Sequence, residues 1–191
     1  MARNRTTGRR GRRGDEERSY IVRAEHAFEF RENIADRWTP EHEVPGTRLS
    51  RLAGLERLKV SVVRIPSGGE ASVYHSYHRE EEWAFVLKGR GVVVINDIEH
   101  IVGPGDFVGF PAKSEPHHVR NPFEHSMVCL VGGENVDIDV ADFPRQGKRL
   151  FKYGEKFEVY DPNEAEESAP SGIDELLMEH WPEDPDDQAA P

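Results

Sequence analysis

The sequence predicts an all-β domain, an antiparallel sandwich or small barrel, flanked by two segments that carry no core. Three observations predict it. From Leu58 onward the chain runs through seven or eight short apolar stretches of strand length. Between them stand SGG, KGRG, ND, GPGD, PAKSEP and NPFEH, all of them turn chemistry. None of the intervening stretches repeats its apolar residues at helical spacing, so strands must pack on strands.

Composition sets the frame. The 191 residues suffice for one domain with spare length at both ends. The net charge of −11 resides in the tail, because residues 161–191 hold eleven acidic side chains and no Lys or Arg. Residues 1–160 are therefore balanced and offer no broad basic face, so a nucleic-acid domain is not expected. Cys129 is the single cysteine, which excludes a disulfide framework and predicts a buried, inert thiol. No apolar run has the length of a membrane span. The paired arginines near the start lead into GDEERSY and not into an export signal, so the expected location is cytoplasmic.

Taken in order, residues 1–18 carry seven arginines among glycine and threonine breakers and predict a disordered basic arm. Residues 19–54 form an entry segment, expected to pack an edge strand or helix on the barrel of residues 55–160. LKVSVVRI opens that barrel. EASVYHSYH, EEWAFVLKG, GVVVIN, IEHIV, DFVGF, HHVRN and SMVCLV continue it, and LFKYGEKFEVY reads as one further strand pair. Residues 161–191 form an acidic tail. Within it SGIDELLMEHW has near capping-box spacing from Ser171 to Asp174, places Ile173, Leu176, Leu177 and His180 on one face and stops at Pro182, predicting a short amphipathic helix near 172–181.

The chemistry concentrates in YHSYHREEEW, residues 74–83. Alternate residues of a strand share a face, so His75 and Tyr77 point one way and His78 the other, unless a β-bulge at Ser76 or Tyr77 turns His78 inward. In the next strand Glu82, Ala84 and Val86 share a face that small and apolar neighbours mark as interior. A lone inward carboxylate is costly unless paired or metal-bound. Trp83 and Phe85 read as packing of the opposite face, and Glu80 and Glu81 as a solvated strand end. Downstream, His117 and Val119 share one face, while His118 faces the other way as a surface or supporting histidine.

These residues resemble the two motifs of the cupin superfamily. The first, G-x5-H-x-H-x3/4-E-x6-G, is matched by Gly69, His75, Glu82 and Gly89, with Tyr77 in place of its second histidine. The second, G-x5-P-x-G-x2-H-x3-N, is matched by Gly105, Pro111, His117 and Asn121. Lys113 stands where glycine is usual, and one extra residue precedes His117. The resemblance covers about residues 55–132. It implies an RmlC-like jelly-roll barrel (the double-stranded β-helix) and one divalent metal ion, Fe, Mn, Ni or Zn. The implied ligands are His75, Glu82 and His117, with Tyr77 or His78 as a fourth. Two imidazoles and a carboxylate are the facial set of non-haem iron sites.

The function expected on this basis is a metal-dependent enzyme of dioxygenase or isomerase type acting on a small molecule in the barrel, with Tyr74 or Tyr77 able to move a proton. The alternative is a non-catalytic small-molecule binder or sensor, with or without the metal. A homodimer is expected, since cupins commonly cover sheet edges that way. Regulatory cupins often carry a helix-turn-helix, and residues 1–57 show no such pattern.

Overall fold

The computed structural model describes residues 20–30, 32–34 and 43–164. The basic arm expected over residues 1–18 and the helix expected near 172–181 lie outside the described residues. Two short helices, α1 (Ala24–Ala27) and α2 (Leu49–Ala53), accompany thirteen strands among the described residues. These are β1 (Glu32–Asn33), β2 (Pro45–Arg48), β3 (Leu58–Ile65), β4 (Ser76–Tyr77), β5 (Glu82–Lys88), β6 (Gly91–Ile95) and β7 (Ile98–Val102). The series continues with β8 (Phe107–Phe110), β9 (His117–Arg120), β10 (Met127–Glu134), β11 (Ile138–Phe143), β12 (Lys148–Tyr153) and β13 (Lys156–Tyr160).

The strands form two facing layers. One is a six-stranded sheet ordered β1-β2-β3-β10-β5-β8. The other combines β7-β6-β9 with β4-β11-β12-β13. Residues 68–75 join these two groups by running antiparallel beside β9, through backbone bonds from Ala71 to Val119 and in both directions between His75 and His117. This is the jelly roll expected from the sequence.

Alternation along the strands explains why the layers close on each other. In β3, Val63 and Ile65 turn inward, and they meet Val86 of β5 and Cys129 and Met127 of β10 from the same sheet. Val93, Val102 and Val119 face them from the opposite layer. Burying one valine-sized side chain stabilises the fold by roughly 1.5–3 kcal/mol, so this shared apolar layer holds the sandwich together. Cys129 belongs to it, and burial pushes its thiol up to about 12, leaving it unreactive.

The turns follow the chemistry read from the sequence. Asn96 and Asp97, with φ of 50° and 60°, join β6 to β7 in the two-residue hairpin that needs positive φ at both positions. Lys113, at the motif position where glycine is usual, also has a φ of 60° and donates its N–H to the Tyr77 carbonyl at 2.8 Å. Asn121 is fully buried and ties its turn down, donating to the Ile65 and His125 carbonyls and accepting from the Phe123 N–H.

Candidate metal centre

Three elements bring three side chains together. Residues 73–77 carry His75, β5 opens with Glu82, and β9 opens with His117. Backbone bonding between His75 and His117 sets the imidazoles side by side, with ring centroids 4.9 Å apart. Glu82 faces them from the other sheet. One ligand atom from each residue lies within 4.8 Å of the others.

Hydrogen bonds on the far side of each ring fix its orientation. The His75 Nδ1–H donates to the Val73 carbonyl at 2.7 Å, and the His117 Nδ1–H to the Glu115 carbonyl at 3.2 Å. A carbonyl only accepts, so both Nδ1 atoms carry protons and each ring turns its Nε2 toward Glu82. The two Nε2 atoms lie 3.2 Å and 3.8 Å from Glu82 Oε2. The His117 Nε2 is buried without a hydrogen-bond partner, and its ring stacks flat on Phe110 at 3.7 Å. Burial alone would raise the Glu82 carboxyl, but the His117 and His75 imidazoles, with the Lys59 ammonium, outweigh it and hold it well below the usual carboxylate range. An ionised carboxylate facing a buried, unpartnered imidazole nitrogen and a second imidazole is the donor set a divalent cation satisfies. The residues fit the ion that the motifs imply.

The neighbours of this cluster sort the remaining expectations. Tyr77 lies on the His75 side, its ring edge-on to the imidazole at 5.1 Å. His78 does not turn inward. Its Nε2 pairs with Asp142 Oδ2 at 2.8 Å, and the strand carries no bulge that would bring it to Glu82. Of the two residues expected as a fourth ligand, His78 is thus held by a carboxylate of its own, and Tyr77 is the one beside His75. Tyr74 also faces away from the cluster, packing with Val92, Val94 and His118 and accepting the Asp97 N–H. It is removed from the proton-transfer candidates. His118 sits on that same outer side, buried, 3.4 Å from Glu70.

Glu80 is the larger correction. It is not a solvated strand end but is 1% exposed, accepting from the Lys152 ammonium at 2.8 Å, the Val136 N–H at 3.1 Å and the Lys59 ammonium. Asp139, equally buried, accepts the N–H groups of Arg79 and Glu80. These bonds hold Arg79 and Glu80, the latter two positions ahead of Glu82. Glu81 alone of the pair is exposed. The sequence reading passed over Lys59 and Asp139 and placed Glu80 in solvent. The alternation of LKVSVVRI carried a signal, since it places Lys59 on the face of Ser61, Val63 and Ile65.

A cavity of about 340 Å³ opens beside the cluster. Its lining includes His75, Tyr77 and Glu82, the apolar Phe110 and Val131, and the polar Lys59, Arg48 and Ser61. That volume is within the range of small-molecule sites.

Residues 61–133, within the barrel, match the cupin domain family model. Among solved structures, a protein from Acidithiobacillus ferrooxidans, provisionally described as a sugar phosphate isomerase, is 28% identical. The match covers 78% of this chain and 97% of that one, with a TM-score of 0.74. A sugar phosphate isomerase of the cupin superfamily from Silicibacter pomeroyi is 25% identical over 65% of this chain and 80% of that one, with a TM-score of 0.60. No curated protein matches the chain.

Proposed function

We propose that the protein is a metal-dependent isomerase of a small sugar derivative. The observation that carries the reading is the convergence of the two Nε2 atoms on the Glu82 carboxylate beside a cavity with hydroxyl and cationic side chains. The likeness to two proteins described as sugar phosphate isomerases supports the reaction class. His75, Glu82 and His117 would hold one divalent ion. When bound, the ion supplies Lewis-acid polarisation of a substrate carbonyl or hydroxyl. Phe110 and Val131 give the cavity apolar surface, and Tyr77 offers its Oη as the atom through which a proton is held or moved. Asp139 and Glu80 keep the approach to Glu82 rigid.

The test is an aldose–ketose interconversion assay. The chain would be loaded separately with Mn²⁺, Fe²⁺, Ni²⁺ and Zn²⁺ and offered phosphorylated three- to six-carbon sugars. We expect turnover with at least one metal, abolished by chelation and in His117→Ala, with the variant still folded. A chain that binds metal yet interconverts none of these sugars would overturn the reading in favour of a binding or sensing barrel.

A further inference from the structure

The Lys59 ammonium occupies an unusual position. It lies against the buried Glu80 carboxylate, 3.9 Å from Glu82 Oε1 and 5.2 Å from the centroid of the Tyr77 ring, on the wall of the cavity. Its side chain is 40% exposed, while that of Glu80 is fully buried. The carboxylate thus works from behind. Held by Lys152 and the Val136 N–H, it cannot swing, so it fixes an ammonium whose outer side remains open to the cavity.

The charges do not cancel. Glu80 is shared between Lys59 and Lys152. On the same wall Arg48 pairs with Glu32, which also lies 3.8 Å from Arg51. Counting Glu82, which Lys59 also approaches at 3.9 Å, four cations meet three carboxylates in these contacts, and Glu82 is the one that the imidazoles share. A cavity with two cations on its wall, each backed by a carboxylate that a second cation already shares, favours a ligand that brings negative charge.

We infer that Lys59, oriented by Glu80, is the residue through which the cavity selects a phosphate-bearing ligand. Arg48 adds a second positive charge on the same side. The inference rests on the proposed isomerase site for the identity of the cavity, and it adds what that site would require of its substrate. Glu80 is a positioning residue, acting only through Lys59.

Calorimetry on the full chain loaded with Mn²⁺ tests this, using a hexose 6-phosphate, the free hexose and inorganic phosphate as probes. Lys59→Met alone would strip one of two ammonium groups from a buried carboxylate, so the informative variant is Lys59→Met combined with Glu80→Gln, whose side-chain oxygen can still accept from Lys152. Lys59→Arg serves as the charge-retaining control. We expect the phosphate ester to bind at least about tenfold more tightly than the free hexose, a factor one charge-assisted hydrogen bond supplies. We expect that preference to vanish in the double variant with metal content unchanged, and to survive largely in Lys59→Arg. Equal binding of ester and free sugar by the native chain, or a preference that persists in the double variant, would overturn the inference. The isomerase reading fails separately. Inorganic phosphate binding that depends on Lys59 in a chain that takes up no metal would uphold the anion site and sink the metal-dependent reaction.

Discussion

At the scale of single residues, the decisive contrast is between Tyr77 and His78. Adjacent in sequence, they face opposite ways, one edge-on to His75 and the other bonded to Asp142. Tyr77→His should place a third imidazole beside the cluster and tighten divalent binding by at least about tenfold, an effect that even outer-shell partners of a metal can command. His78→Ala should leave metal affinity unchanged. It should also cost under about 1 kcal/mol of stability, because Asp142 keeps its two contacts to Arg149 at 2.6 Å and 3.1 Å. Calorimetric titration of both variants decides, and metal loss in His78→Ala would refute the outward register. The same scale shows the limit of reading residues from sequence. Glu80, Glu81 and Glu82 are chemically identical in the string, yet one is clamped by lysines, one exposed and one turned to the imidazoles. Their fates depend on partners 21 to 72 positions away, Lys59 and Lys152 for Glu80. Removing that clamp should be expensive. Glu80→Ala leaves the mostly buried Lys152 ammonium without its carboxylate, while Lys59 keeps Glu82 and solvent, and should cost about 3 kcal/mol in denaturant unfolding; a change below about 1 kcal/mol would show the cluster to be structurally idle.

At the scale of elements, much was legible, because strand alternation and turn chemistry are local. The ND hairpin and the interior face of EEWAFVLKG follow from turn chemistry and period-two patterning, while the meeting of His75 and His117 was implied by the resemblance to the two motifs. The bulge weighed at Ser76 or Tyr77 could not be settled that way. A one-residue irregularity leaves no compositional mark, and in the sheet of β5 and β10 the register shifts elsewhere, between Val128 and Cys129. Motif glycines divide in the same way. Gly89, which ends the first motif, has φ of 76°, and a Cβ there would stand 2.5 Å from the Ser126 carbonyl oxygen. Gly89→Ala therefore meets both a conformational and a steric penalty, and thermal unfolding should reveal a loss of roughly 1–3 kcal/mol. A melting temperature unchanged from the native chain would mean that this turn relaxes freely. Lys113 reaches the same left-handed region without being glycine, which is why the second motif survives its departure from pattern.

At the scale of the whole molecule, the candidate metal centre lies where the layers meet. His75 and His117 belong to one layer and Glu82 to the other, so an ion held by all three is a clasp between sheets and not a decoration on one. The edge of the first of those layers, β7, leaves Ile98 and Ile101 60% and 71% exposed, and we propose that a second copy covers it. Light scattering at micromolar concentration should give a dimer mass that Ile101→Lys reduces to a monomer; a dimer unaffected by that change would place the contact elsewhere. The clasp leads to a thermodynamic expectation that needs no substrate. An ion that binds only the folded chain stabilises it by mass action, about 2.7 kcal/mol at a hundred times its dissociation constant. For a domain of this size each kcal/mol moves the midpoint by about 2–4 °C. Adding divalent metal to chelator-treated protein should therefore raise its melting temperature by roughly 5–10 °C. Glu82→Gln removes the charged side of the clasp but keeps the apolar layer of Val63, Val86 and Val119. It should melt near the metal-free native chain and gain little from metal. His78→Ala, outside the clasp, should retain the whole increment. An equal rise in native chain and Glu82→Gln would locate the ion away from the sheet junction and overturn the proposed centre.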